Sequence, residues 1–187
     1  MNAARRVLRY VKGSLDCGIV IHAHCDLQLT AYCDSDWGAC PLTRRSLTGY
    51  LVTLGASPIS WKTKKQTTVS RSSAEAEYRS MAAVTGELVW SKSLLAYFDI
   101  FHKQAMNLFC DSQSALHIAK NPIFHEHTKH IEIDCHFVRE RYHSADLDLF
   151  YLPSKGQPVD LFTEAIGKRQ FQYLRSKLGM VNLHAPT

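Results

Sequence analysis

The chain has 187 residues, 45% hydrophobic and 21% charged, with a formal net charge of +5. That is enough sequence for one domain with its own core, and the balance is wrong for a disordered or fibrous chain. No apolar run reaches the ~20 residues that span a bilayer, so a membrane protein is not expected, while the modest positive charge permits a nucleic-acid partner without demanding one.

The basic N-terminus, Met1 to Lys12, lacks the uninterrupted apolar stretch of a signal peptide, which points to an intracellular protein. Its six cysteines, Cys17, Cys25, Cys33, Cys40, Cys110 and Cys135, are dispersed, with no Cys-x-x-Cys pair. They are expected to be reduced and to behave as small apolar side chains.

In chain order, residues 3–12 predict a short amphipathic helix. Ala4, Val7, Leu8 and Val11 face inward, Arg5, Arg6 and Arg9 face outward, and Gly13 closes the helix. Residues 16–26 read as a weak strand or connector. From Leu27 the period becomes two: Leu27, Leu29, Ala31 and Cys33 share one face, and Tyr32, Asp34 and Asp36 the other. Strands over 48–54 and 59–62, with Gly55 and Pro58 at the turn between them, complete an antiparallel meander. A long helix follows over 73–98, capped by Ser72 or Ser73, with Tyr78, Met81, Ala82, Leu88, Val89 and Leu95 inward. Then come a strand over 107–110, helices over 114–120 and 128–143, a strand over 147–152, and one last helix over 159–178. A strand that follows its neighbour through a helix pairs parallel by a right-handed crossover. The expected fold is therefore α/β: a five-stranded mixed sheet, three antiparallel strands then two parallel, with helices on both faces.

Acids stand where such a fold would bring them together. Asp34 and Asp111 follow runs of apolar β-formers, Glu75 and Glu77 open the long helix, and Asp160 opens the last one. Aspartate is depleted in strands and its charge resists burial. Four converging carboxylates repel one another unless cations sit among them, and hard divalent ions take oxygen ligands. Taken singly, each acid is an ordinary turn or capping residue.

The stretches Tyr32-Cys33-Asp34-Ser35-Asp36-Trp37, Ser46-Leu47-Thr48-Gly49-Tyr50, Pro58-Ile59-Ser60-Trp61-Lys62 and Ser73-Ala74-Glu75-Ala76-Glu77-Tyr78 carry a resemblance, as do Cys110-Asp111-Ser112-Gln113-Ser114-Ala115, Thr128-Lys129-His130-Ile131 and Asp160-Leu161-Phe162-Thr163. In that order they resemble the ribonuclease H domain at the C-terminal end of a copia-type retrotransposon Pol polyprotein. Residues 4–13 resemble the end of the preceding reverse transcriptase domain, whose Tyr-x-Asp-Asp motif is absent. The resemblance implies that residues 1–26 are a reverse transcriptase remnant and connector, and that 27–187 form the ribonuclease H-like domain.

It further implies an endoribonuclease that hydrolyses the RNA strand of RNA–DNA hybrids, with two Mg²⁺ ions (Mn²⁺ as a substitute) on Asp34, Glu75, Asp111 and Asp160. Between Glu75 and Glu77 the reading prefers Glu75, in the first helical turn, and takes Glu77 as an exposed acid. Asp36 is not assigned to the metal. The alternative is an inactive or co-opted remnant that binds nucleic acid. The expected partners are the hybrid and, ancestrally, the reverse transcriptase domain. The expected compartment is the cytoplasm, in a virus-like particle, or the nucleus.

Ser35, Ser112 and Gln113 flank the acids and are candidates for contacts to sugars. Trp61, Lys62, Lys64 and Lys65 form a candidate aromatic and basic phosphate-binding patch. His125, His127, His130 and His136 cluster, but not with the His-Glu-x-x-His spacing of a zinc helix, and His130 is read as structural or as lying near the nucleic acid. The loop 153–158 has no histidine, unlike cellular ribonucleases H, which predicts slow turnover.

Overall fold

A computed structural model describes residues 2–12, 17–121 and 132–182. His125, His127, His130 and the expected first turn of the 128–143 helix lie outside the described residues. The elements are α1 (Asn2–Lys12), β1 (Cys17–Ile19), β2 (Leu29–Asp36), β3 (Leu47–Leu54), β4 (Ser57–Lys65), α2 (Ser73–Tyr97) and β5 (Met106–Cys110). They continue with α3 (Gln113–Lys120), α4 (Glu132–His143), β6 (Leu147–Tyr151), α5 (Asp160–Thr163), α6 (Lys168–Lys177) and β7 (Met180–Asn182). Among the described residues no helix is long and apolar enough to cross a membrane.

The main sheet has the order β4-β3-β2-β5-β6. β2, β3 and β4 are antiparallel neighbours, and β5 and β6 add in parallel. Alternation along β2 sends Leu29, Ala31 and Cys33 into the larger core, with Tyr78, Met81, Val84 and Leu88 of α2, Ala115 and Ala119 of α3, and Val138 of α4. Leu51, Val159 and Leu178 form a second core with Tyr32 on the opposite side of the sheet, where α5 and the end of α6 lie. Helices thus cover both faces, as expected.

Three local readings need correction. The apolar stripe of α1 is not buried: Val7, Leu8 and Val11 are exposed. β4 begins at Ser57 and so includes Pro58; a residue without an N–H is tolerated there because β4 is the edge strand. The last helix is two. α5 ends at Thr163, Glu164 turns extended, and α6 starts after Gly167; the intervening Ala165-Ile166-Gly167 includes a β-branched residue and a glycine, both poor helix formers. The weak strand expected within 16–26 is β1, which pairs antiparallel with β7 in a small two-stranded sheet.

One glycine seats α5. Gly49 of β3 is the register partner of Asp34. A Cβ there would lie 2.5 Å from Thr163 Cγ2 and 2.8 Å from Val159 Cγ1. Those separations are below contact distance, so any side chain at 49 pushes the 159–163 turn off the sheet. Gly49→Ala should therefore cost ~1–3 kcal/mol, as overpacking does. Gly86, inside α2, has nothing within 4 Å of the same position. Gly86→Ala should gain ~0.5–1 kcal/mol from the helical backbone. Thermal melts of the two variants should move in opposite directions; a Gly49→Ala protein as stable as the parent would contradict this seating of α5.

Candidate metal centre

Cys33 of β2 and Cys110 of β5 are register partners, so Asp34 and Asp111, one residue further on, sit side by side at the same edge of the sheet. Asp34 is buried, and Thr163 of α5 donates a hydrogen bond to its Oδ2. Ser80 of α2 donates to the Asp34 carbonyl at 2.8 Å, and buried Gln157 donates to the Cys33 carbonyl at 2.9 Å. The end of β2 is thus held from both faces. Asp111 accepts from the Ser154 hydroxyl at 2.7 Å. Asp160, the first residue of α5, is buried beside them.

Of the two acids of α2, Glu77 lies beside Cys110 and Asp111, and Glu75 lies against Arg79. Glu75 lies in the first turn, its N–H donating to the Ser72 cap at 3.2 Å. Its carboxylate is already engaged: Arg79 Nη2 donates to Oε1 at 3.0 Å and the Arg71 N–H to Oε2 at 2.7 Å. Two residues later the helix has rotated by half a turn. Glu77 is only 7% exposed, against the expectation of a surface acid. Its Oε1 accepts the Ser35 N–H at 3.1 Å, while Oε2 is buried with no hydrogen-bond partner among the described residues. A carboxylate oxygen of Glu77, one of Asp111 and the Cys110 sulfur all lie within 4.8 Å of one another. Glu75, Ala76, Glu77 and Tyr78 are all buried, so burial alone does not separate the two acids; their partners do.

Burial, and after it mutual repulsion, sets the electrostatics. Burial pushes Glu77 up to about 10, with Cys110, Asp34 and Asp111 adding to the shift. Asp160 is raised to about 7 by burial and by Asp34, Glu164 and Asp111. Asp34 is raised to about 6 by burial, which outweighs the opposing Thr163 hydrogen bond, with Asp111 raising it further. Carboxyls held this far above their ordinary range are short of positive charge. The set offers oxygen donors from four elements, one of them orphaned, and fits a hard divalent cation.

The candidate nucleic-acid residues are dispersed. The hydroxyl of Ser35 is buried and without a partner among the described residues, so this residue holds Glu77 through its backbone and presents no surface. Ser112 caps α3, accepting the Ala115 N–H at 3.2 Å, and Gln113 is exposed beside it. Lys62, Lys64 and Lys65 line a groove of ≈ 670 Å³ with Arg79, Glu87 and Asp134. Trp61 is exposed but does not line it, because alternation along β4 turns it away from its two lysine neighbours. His136 is exposed on α4, one residue after buried Cys135.

The sign of the pH dependence follows. Above an unfolded carboxylate value near 4, the folded protein holds protons that the unfolded chain has lost, so these acids reduce stability as pH rises through their raised values. In chelator-treated protein, Glu77→Gln should raise Tm, by ~2–4 °C for each ~1 kcal/mol relieved. The gain should be larger near pH 8 than near pH 5. A gain independent of pH, or a loss, would contradict the burial of an ionisable group at 77.

Comparison with known proteins bears on this arrangement. No family model matches the chain. The retrovirus-related Pol polyprotein from transposon RE2 of Arabidopsis thaliana is 40% identical over 182 residues, which is 97% of this chain and 12% of that relative. The chain thus spans about an eighth of the length of this curated relative. Among solved structures, LC11-RNase H1, crystallised in complex with an RNA/DNA hybrid, superposes with a TM-score of 0.53 at 10% identity over 72% of this chain and 93% of that one. The prototype foamy virus protease–reverse transcriptase does so at 0.51 and 9% identity, over 90% of this chain and 22% of that one. The chain is a homologue of one segment of the retrovirus-related Pol polyproteins of copia-type transposons, and its fold is that of ribonuclease H.

Proposed function

We propose that this domain is a divalent-metal-dependent endoribonuclease that hydrolyses the RNA strand of RNA–DNA hybrids. The observation that carries the reading is the convergence of Asp34, Glu77, Asp111 and Asp160, from β2, α2, the end of β5 and α5, with one buried Glu77 oxygen without a partner among the described residues. Glu77 replaces the Glu75 of the sequence reading, because Glu75 is spent on its own helix turn and on Arg79. A pair of Mg²⁺ ions, with Mn²⁺ as a substitute, supplies Lewis-acid charge at a phosphodiester when bound to such a set.

The chain's own residues do the rest. Ser35 N–H and Ser154 Oγ fix the carboxylates of Glu77 and Asp111, which limits the reorganisation needed to receive cations. Thr163 and Ser80 fix Asp34 from its side chain and its carbonyl. Lys62, Lys64 and Arg79, lining one groove, are suited to phosphate oxygens, and exposed Gln113 to a sugar edge. In this reading residues 1–26 are the tail of a reverse transcriptase domain, and the substrate is the hybrid made by that domain inside the cell.

The test is cleavage of labelled RNA–DNA hybrid, duplex RNA and duplex DNA with Mg²⁺ or with chelator. Cutting of the hybrid's RNA strand alone, and only with Mg²⁺, is expected; hybrid binding with no Mg²⁺-dependent cutting would leave a nucleic-acid-binding remnant instead. Asp34→Asn, Glu77→Gln and Asp111→Asn should each cost ~3 kcal/mol or more of transition-state stabilisation, about 10²-fold in rate. Glu75→Gln should keep most of the rate while lowering Tm. Loss of cleavage in Glu75→Gln with cleavage intact in Glu77→Gln would reverse the assignment.

A further inference from the structure

Beneath the carboxylates lies a ligand of a different kind. Cys110 ends β5, one residue before Asp111, and is fully buried. Its sulfur accepts the Ser112 N–H at 3.4 Å and contacts the Cys33 thiol on the neighbouring strand. The Cys110 sulfur and one oxygen each from Glu77 and Asp111 make a triangle with no side above 4.8 Å. Glu77 Oε1 accepts Ser35 N–H at 3.1 Å, and Asp111 Oδ2 accepts the Ser154 hydroxyl at 2.7 Å. Glu77 Oε2 stays buried and without a partner among the described residues. An orphaned buried oxygen is costly, and a cation within reach of all three groups would satisfy it.

The sulfur selects which cation. Mg²⁺ takes oxygen ligands and gains little from a thiol. Zn²⁺ and its relatives bind thiolate readily, and carboxylates and water complete their shell.

We infer that Glu77, Cys110 and Asp111 form a thiophilic metal site that takes Zn²⁺, superimposed on the carboxylates that the nuclease reading assigns to hard ions. On binding, the Cys110 S–H and the Glu77 O–H bonds give way to sulfur–metal and oxygen–metal bonds, and both protons pass to water. Half-buried Asp111 marks the side from which the ion enters. One consequence, that zinc displaces the hard ions and stops cleavage, rests on the function proposed above. The site itself rests on the sulfur and the orphaned oxygen.

The test uses Cd²⁺ as a spectroscopic probe of the full chain and Zn²⁺ as its competitor. A sulfur-to-cadmium charge-transfer band should grow to saturation at one equivalent and be reversed by Zn²⁺. It should vanish in Cys110→Ser and persist in Cys40→Ser, which removes a thiol outside this cluster. Glu77→Gln keeps every thiol and should weaken cadmium binding by at least about tenfold, the least that loss of even a supporting partner costs a metal site. If Cys110→Ser melts non-cooperatively, Cys110→Ala and Glu77→Gln carry the test. A band unchanged in the Cys110 variants, or none at one equivalent, would overturn the site whether or not the protein cuts hybrid. A saturating, Cys110-dependent band in a protein that never cuts hybrid would uphold the site and remove the nuclease reading instead.

Discussion

The structure is organised around the cost of holding like charges together out of water. Asp34, Glu77 and Asp160 are all buried, and Asp111 lies beside them. Left to electrostatics, such groups separate or stay protonated, and the raised pKa values of Asp34, Glu77 and Asp160 express that resistance. Much of the surrounding fold opposes it. Parallel pairing of β2 and β5 fixes two acids at one sheet edge, α2 delivers the third from one face, and α5 delivers the fourth from the other. Gly49 removes the one Cβ that would keep α5 away.

Several polar groups behind the acids are satisfied by one another. Gln66 donates to Thr48 Oγ1 and to the Ala76 carbonyl, each at 3.0 Å, and accepts from Ser70 at 2.8 Å. Ser80 bridges the Asp34 carbonyl and Thr48. Such a network fixes the helix against the sheet, because each member left unpaired would carry its own desolvation cost. Among the described residues, Glu77 Oε2, Ser35 Oγ and Gln157 Oε1 are buried there without a partner, and of these the carboxylate oxygen is the one suited to a cation. A carboxylate oxygen of Glu77 lies near both an Asp111 oxygen and the Cys110 sulfur, so hard and thiophilic ions would meet at one place.

How much of this the chain announces depends on the kind of signal. The period of two in β2 and the capped, apolar-striped α2 identify their elements because backbone geometry and burial agree there. Asp34, Asp111 and Asp160 are visible because acids are out of place after apolar β runs or gather at a helix start. Glu77 was obscured by its neighbour: Glu75 and Glu77 differ only in which way one helical turn faces, and that is settled by packing against β2. The exposed stripe of α1 shows the opposite error, since amphipathic spacing names a face but not the surface that covers it. The pairing of β1 with β7 joins segments more than 150 residues apart and has no local signature. The break at 164–167 depends on α5 being drawn to Asp34 and Gly49, again a tertiary effect.

The most direct test of the central claim is a pH titration of the side-chain carboxyl carbons by heteronuclear NMR, with chelator and then with Mg²⁺. Without the ion, Glu77 should remain protonated through neutrality, consistent with a value of about 10. With Mg²⁺ it should ionise well below pH 7, while Glu75 should be indifferent to the ion. A Glu77 carboxyl that titrates in the ordinary carboxylate range, unmoved by Mg²⁺, would contradict the account.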